Sequence, residues 1–246
     1  MITFEVCLQS PEDAMVAQAG GAQRVELCAA LIEGGITPSY GTILACRDAV
    51  DIDIMVMIRP RGGDFLYSEV ELASMARDIE FCKSVGVHGV VFGLLLPDGQ
   101  IDLDNTRRLC ELAHPLSITF HRAFDVCRDP FIALEQLIEL GVHRVLTSGQ
   151  KATVPEGLAT IKALTEIAGE RIGILPGCGI TPDNVAAILF ETGLQEFHAT
   201  AFCTEKSNMK FRNEEIYMGV PGLPEYQYQR TSLALVKEFM QTIRRL

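Results

Sequence analysis

Short β-rich hydrophobic runs alternate along the chain with longer segments of helical periodicity. The runs predict strands at about 2–8, 24–28, 53–59, 88–93, 116–121, 143–148, 172–176 and 195–199. Between them, helices are predicted near 11–19, 39–49, 68–85, 102–113, 129–140, 155–168, 182–191 and 231–244. Ser10-Pro11, Asp129-Pro130 and Thr181-Pro182 each set a capping side chain before a proline in the first helical position. Gly20, Gly86, Gly141, Gly169 and Gly193 stop helices just before strands. The segments Ser84–Val91 and Glu139–Leu146 repeat the same helix–Gly–strand junction. Eight strand-then-helix units in succession predict an α/β fold, a (β/α)8 TIM barrel, with residues 1–246 as a single domain. A doubly wound sheet is the runner-up. Its usual glycine-rich turn after the first strand is missing from Cys7-Leu8-Gln9-Ser10. Residues at about 200–230 fall outside the repeat and read as a lid, a binding loop or an oligomer contact; Arg59–Phe65 is a second long loop.

Strand alternation then sorts side chains between the barrel interior and the helix layer. Glu5 and Cys7 of the first strand are expected inside. So are Arg24, Glu26 and Cys28 of the second, and Asp53, Met55, Met57 and Arg59 of the third. Thr119, His121, Glu196, His198 and Thr200 complete the inward set. Barrel interiors are normally aliphatic, so Glu5, Glu26, Arg59, His121 and His198 gathered at the C-terminal strand ends mark a candidate site. A purely structural salt-bridge network is the alternative reading of the same residues. Cys7 and Cys28 sit in similar phrases, Phe4-Glu5-Val6-Cys7 and Val25-Glu26-Leu27-Cys28. They stand side by side if the strands pair in register, or two residues apart under barrel shear. Adjacent thiolates suit a soft ion such as Cu(I), with His or Met assisting; a reduced pair of core cysteines is the plainer reading.

Composition narrows the partners. With 21 basic and 32 acidic residues the net charge is −11, which argues against nucleic acid or an anionic membrane surface. No apolar run is long enough to cross a bilayer, and the first residues lack the basic start of an export signal. The 8 cysteines, none in a Cys-x-x-Cys pair, are expected reduced in a cytoplasmic protein. Two glycine-bearing turns look able to hold an anion: Thr147-Ser148-Gly149-Gln150, and Pro176-Gly177-Cys178-Gly179 ahead of a helix expected to open at Pro182. Ser148, Gly177 and Gly179 are the candidate contacts there, with Arg59 and Arg61 adding charge.

Several of these segments together resemble the CutC family. They are Phe4–Cys7, Arg24–Cys28 with Glu33–Ser39, Met57–Phe65, Thr119–Asp125, Arg144–Gly149 and Phe197–Thr200, spread over essentially the whole chain. The resemblance implies a TIM barrel, a role in copper homeostasis, a cytoplasmic location and a homodimer, with Cys7 and Cys28 at the positions proposed for Cu(I). The residues themselves also support a barrel enzyme of lyase, isomerase or hydrolase type acting on a small anionic, phosphorylated or carboxylated metabolite. There His121 or His198 is the acid or base, Glu5 and Glu26 orient substrate or bind a hard metal, and Arg59 with the Gly177–Gly179 turn holds the anionic group. Loss of Cys7 and Cys28 abolishes the first activity and spares the second; loss of His121 does the reverse. Neither reading calls for an organic cofactor.

Overall fold

The computed structural model describes residues 2–246. The strands are β1 (Thr3–Leu8), β2 (Arg24–Leu27), β3 (Asp53–Met57), β4 (Gly89–Phe92), β5 (Ser117–Phe120), β6 (Arg144–Thr147), β7 (Gly173–Pro176) and β8 (Glu196–Ala199). After each comes its helix: α1 (Pro11–Gly20), α2 (Tyr40–Ala49), α3 (Glu69–Val85), α4 (Leu103–Ala113), α5 (Pro130–Glu139), α6 (Val154–Ala168), α7 (Val185–Thr192) and α8 (Leu233–Ile243). All eight strands are parallel and follow one another round the sheet. β8 pairs with β1, and a parallel bridge between Gly177 and His198 brings β7 to β8. The result is the expected (β/α)8 barrel.

Helix starts follow the sequence signals. Ser10, Ser68, Asp102, Asp129 and Ser232 each accept a backbone N–H of the first turn, satisfying donors that would otherwise be orphaned. At the outer face of the sheet, Phe4 and Phe197 stack at 4.5 Å and Phe239 of α8 lies 4.8 Å from Phe4. Such contacts make the main core, between barrel and helices. A second, smaller apolar cluster of Cys7, Cys28, Met55, Met57 and Val91 fills the inside. The two clusters are the two faces that strand alternation separates.

Four expectations change. α7 starts at Val185 rather than Pro182. Asn184 instead ties down the preceding turn, accepting from the Thr181 N–H and donating to the Gly179 carbonyl. The segment at about 200–230 contains an antiparallel hairpin, β9 (Phe202–Lys206) with β10 (Gln227–Thr231). Its base is clamped to α1 by the Thr231 N–H donating to Asp13 at 2.7 Å and Arg230 donating to Ser10 at 2.9 Å. Asp53, expected inside, lies at the N-terminal foot of the barrel with its side chain 57% exposed and 3.6 Å from His88. Thr200 is exposed just beyond β8.

Candidate functional site

The barrel interior holds a continuous chain of ions. Arg144 donates to Ser117 at 2.9 Å and to Glu196 at 3.2 Å. Glu196 also takes Arg24 at 2.6 Å, and Arg24 in turn pairs with Glu5. Glu5 then holds Nδ1 of His198 at 2.7 Å. Burial works against the Glu5 charge, but Arg24 and His198 outweigh it and bring its pKa from 4.5 down to about 2. This chain sits under the mouth and fixes the His198 ring with Nε2 turned toward Glu26, 3.8 Å away.

The pairing of β1 with β2 sets Cys7 opposite Glu26, so Cys28 is displaced by two residues along the strand. Barrel shear, not an in-register match, decides the geometry. Glu26 nevertheless joins the two thiols: both sulfurs lie 3.4 Å from its Oε2. Coordinating atoms of Cys7, Glu26 and His198 all lie within 4.8 Å of one another. A hydrogen bond from Cys28 lowers the Cys7 pKa from 9.0 to about 5, against the effect of burial. The same bond, with burial, pushes Cys28 well up, so Cys28 keeps its proton and Cys7 is the thiolate. Burial raises the Glu26 carboxyl well above its usual range; the His198 charge opposes this, and the negative charge of Cys7 and Glu5 adds to it. Burial opposes charge on His198 too, yet the acidic groups Glu26, Cys7 and Glu5 around it keep the imidazole protonated.

The facing wall carries Arg59, Phe65 and His121. One cavity of about 330 Å³ is lined by all three together with Cys7, Glu26, Met57 and His198. Arg59 donates to the carbonyls of Glu33, Gly35 and Gly63 at 2.7–2.9 Å. His121 Nδ1 accepts the Ala123 N–H at 3.2 Å.

The loop residues proposed for anions have other partners. After β6, the carboxylate of Asp125 already fills the turn, accepting the N–H groups of Ser148 and Gln150 and the hydroxyls of Thr147 and Ser148. Arg122 closes this arrangement at 2.7 Å from Asp125 and 2.8 Å from Ser148. Arg61 lies outside the mouth cavity, spent on Glu71 at 2.6 Å, Asp64 at 3.0 Å and the Leu66 carbonyl at 2.7 Å. Gly177 serves packing: a Cβ there would meet Leu146 at 2.5 Å and the His198 side chain at 3.1 Å. Gly179 holds a left-handed φ of +74° against Thr153. Sequence reading missed Phe65, Arg122 and Asp125 as parts of the mouth. The i,i+3 spacing of Arg122 and Asp125 was the available signal.

Comparison with known proteins places these features in a family. The sequence profile described as the CutC family matches residues 2–203. A CutC family protein of Parabacteroides distasonis is 56% identical, over 96% of this chain and 98% of that protein. The copper homeostasis protein cutC homolog of Homo sapiens is 48% identical, over 95% of this chain and 86% of its own length. Among solved structures, CutC from Streptococcus agalactiae superposes with a TM-score of 0.78 at 37% identity, covering 81% of this chain and 99% of that one. Phosphoribosylanthranilate isomerase from Thermotoga maritima, at 12% identity, TM-score 0.59 and full coverage of both chains, shares the fold alone. The chain belongs to the CutC family.

Proposed function

We propose that this CutC family member takes part in copper homeostasis by binding Cu(I) directly as cargo at the barrel mouth. The observation that carries the proposal is the meeting of two sulfurs, Cys7 and Cys28, on one oxygen of Glu26, with His198 beside them. Cys7 supplies a thiolate, the form that binds soft metals. Cys28 becomes the second thiolate ligand when the metal displaces its proton. His198 offers Nε2 once it loses its proton, because Glu5 holds Nδ1. Met57, lining the same cavity, adds a thioether. Copper X-ray absorption on Cu(I)-loaded protein is expected to show sulfur neighbours that diminish in Cys7→Ser. An oxygen- and nitrogen-only shell in the wild type contradicts the proposal.

The proposed setting is cytoplasmic, in keeping with eight unpaired cysteines. No helix among the described residues is long and apolar enough to cross a membrane. A homodimer is proposed through the hairpin arm, where Phe211 is 78% and Met218 is 87% exposed.

A second reading uses the same mouth for acid–base catalysis on a small anionic metabolite. What favours it is His198 oriented by Glu5 at 2.7 Å and facing both a thiol and a carboxyl. Turnover that survives Cys28→Ser and is lost in His198→Gln is expected on this reading. Turnover unchanged in His198→Gln overturns it.

A further inference from the structure

Arg59 is unlike the other arginines of the barrel interior. Arg24 and Arg144 are matched by Glu5 and Glu196, and Arg122 at the mouth is matched by Asp125. Arg59 is only 5% exposed, yet all three of its hydrogen bonds end on backbone carbonyls. No carboxylate among the described residues pairs with it, and its Nε–H has no partner. A buried guanidinium without a counter-charge is costly, which makes this a place where an anion from outside would be stabilising.

His121 supplies the second donor. It is 4% exposed, and its Nδ1 is taken up as an acceptor for the Ala123 N–H. The ring proton therefore sits on Nε2, which is buried without a partner. Burial and the Arg59 charge lower its pKa to about 3, so the ring is a neutral N–H donor at physiological pH. Phe65 packs against both groups, 5.0 Å from the guanidinium carbon and 4.9 Å from the imidazole centre. Across the same cavity Glu26 Oε1 is also buried and unpartnered.

We propose that Arg59, His121 and Phe65 form a subsite for the carboxylate of a small hydroxy acid, whose hydroxyl reaches Glu26 Oε1. One unmatched positive charge beside a neutral donor suits a single negative charge better than the −1.5 to −2 of a phosphate monoester. The turn best shaped for phosphate is already filled by Asp125. A cavity of about 330 Å³ also lies at the small end of ligand sites. The subsite gives the second reading above a ligand class, but it is read by binding alone and needs neither copper nor turnover.

The test is isothermal titration of the copper-free full chain with glycolate, lactate, glycerate and malate, with lactamide and inorganic phosphate as controls. At least one acid is expected to bind with Kd below about 10 mM. Binding should weaken at least about tenfold in Arg59→Met, while lactamide does not bind and phosphate does not displace the acid. Long-range proton–nitrogen spectra of the wild type, which require no variant to fold, should show the His121 Nε2 resonance shifting with saturation. Absence of binding by all four acids overturns the proposal. So does displacement by phosphate, or binding that leaves the His121 resonance unmoved. Loss of catalysis in His198→Gln with acid binding retained would keep the subsite while bearing only on the catalytic reading.

Discussion

Cys7 is set apart from the other cysteines by its neighbours. Cys46, Cys82, Cys110 and Cys127 have thiols pushed up by burial alone or chiefly by burial, whereas Cys7 has a donor in Cys28. Removing that donor should therefore move Cys7. Cys28→Ala is expected to shift the Cys7 titration upward from about 5 toward the unperturbed 9.0, read by ultraviolet thiolate absorbance. A titration that stays near 5 would show that Cys28 does not set it. The inward placement of Glu5, Glu26, His121 and His198 was legible from strand alternation, because barrel strands present alternate residues to the interior. The partners of Arg61 and Ser148 were not. Both sit in loops that fold back on near neighbours, Glu71 and Asp125, and alternation says nothing about loops.

At the scale of elements, the strands and most helices were legible because caps, stop glycines and period agree along the chain. The hairpin β9–β10 was not. Its strands are polar and mostly exposed, so they lack the apolar face that marks a strand in sequence. The start of α7 was missed because Asn184 spends its side chain on the turn before the helix, overriding the proline signal. Gly157 shows a similar override of propensity. It lies inside α6, where alanine would ordinarily help, but a Cβ there would come 1.9 Å from the Ser148 carbonyl. Gly157→Ala is expected to destabilise by about 1–3 kcal/mol in urea unfolding, through overpacking of α6 on the loop after β6. A stabilising effect would mean that this contact relaxes freely. The ion chain gives a larger figure. Arg24→Met leaves Glu5 and Glu196 without their shared cation and should cost about 3–5 kcal/mol.

For the whole molecule, the interior ions set how stability follows pH. Glu5 has its folded pKa lowered from 4.5 to about 2, so its contribution is complete above 4.5 and fades as pH falls through 2. His198 has its folded pKa raised above 6.5, so its contribution is complete below 6.5 and fades as pH rises through the folded value. Below pH 4.5 the Tm should fall, because Glu5 and His121 both have folded pKa values lowered, to about 2 and about 3, and take up protons more readily in the unfolded chain. A Tm that stays level from pH 4.5 down to 2 would contradict this assignment of charges. The hairpin arm belongs to the same scale. Deleting residues 207–226 is expected to turn the proposed dimer into a monomer by light scattering while leaving the barrel folded; a wild-type chain that is already monomeric contradicts the proposed interface.

The proposal of a copper site at the mouth is tested most directly by anaerobic Cu(I) titration against a competing chelator. The comparison is between wild type, Cys7→Ser, Cys28→Ser and the double variant. One tightly bound Cu(I) per chain is expected, weakened in each single variant, lost in the double variant, and weakening as pH falls, because the metal must displace the protons of Cys28 and His198 and, below about 5, that of Cys7. Absence of binding in the wild type, or binding unchanged in the double variant, would contradict it.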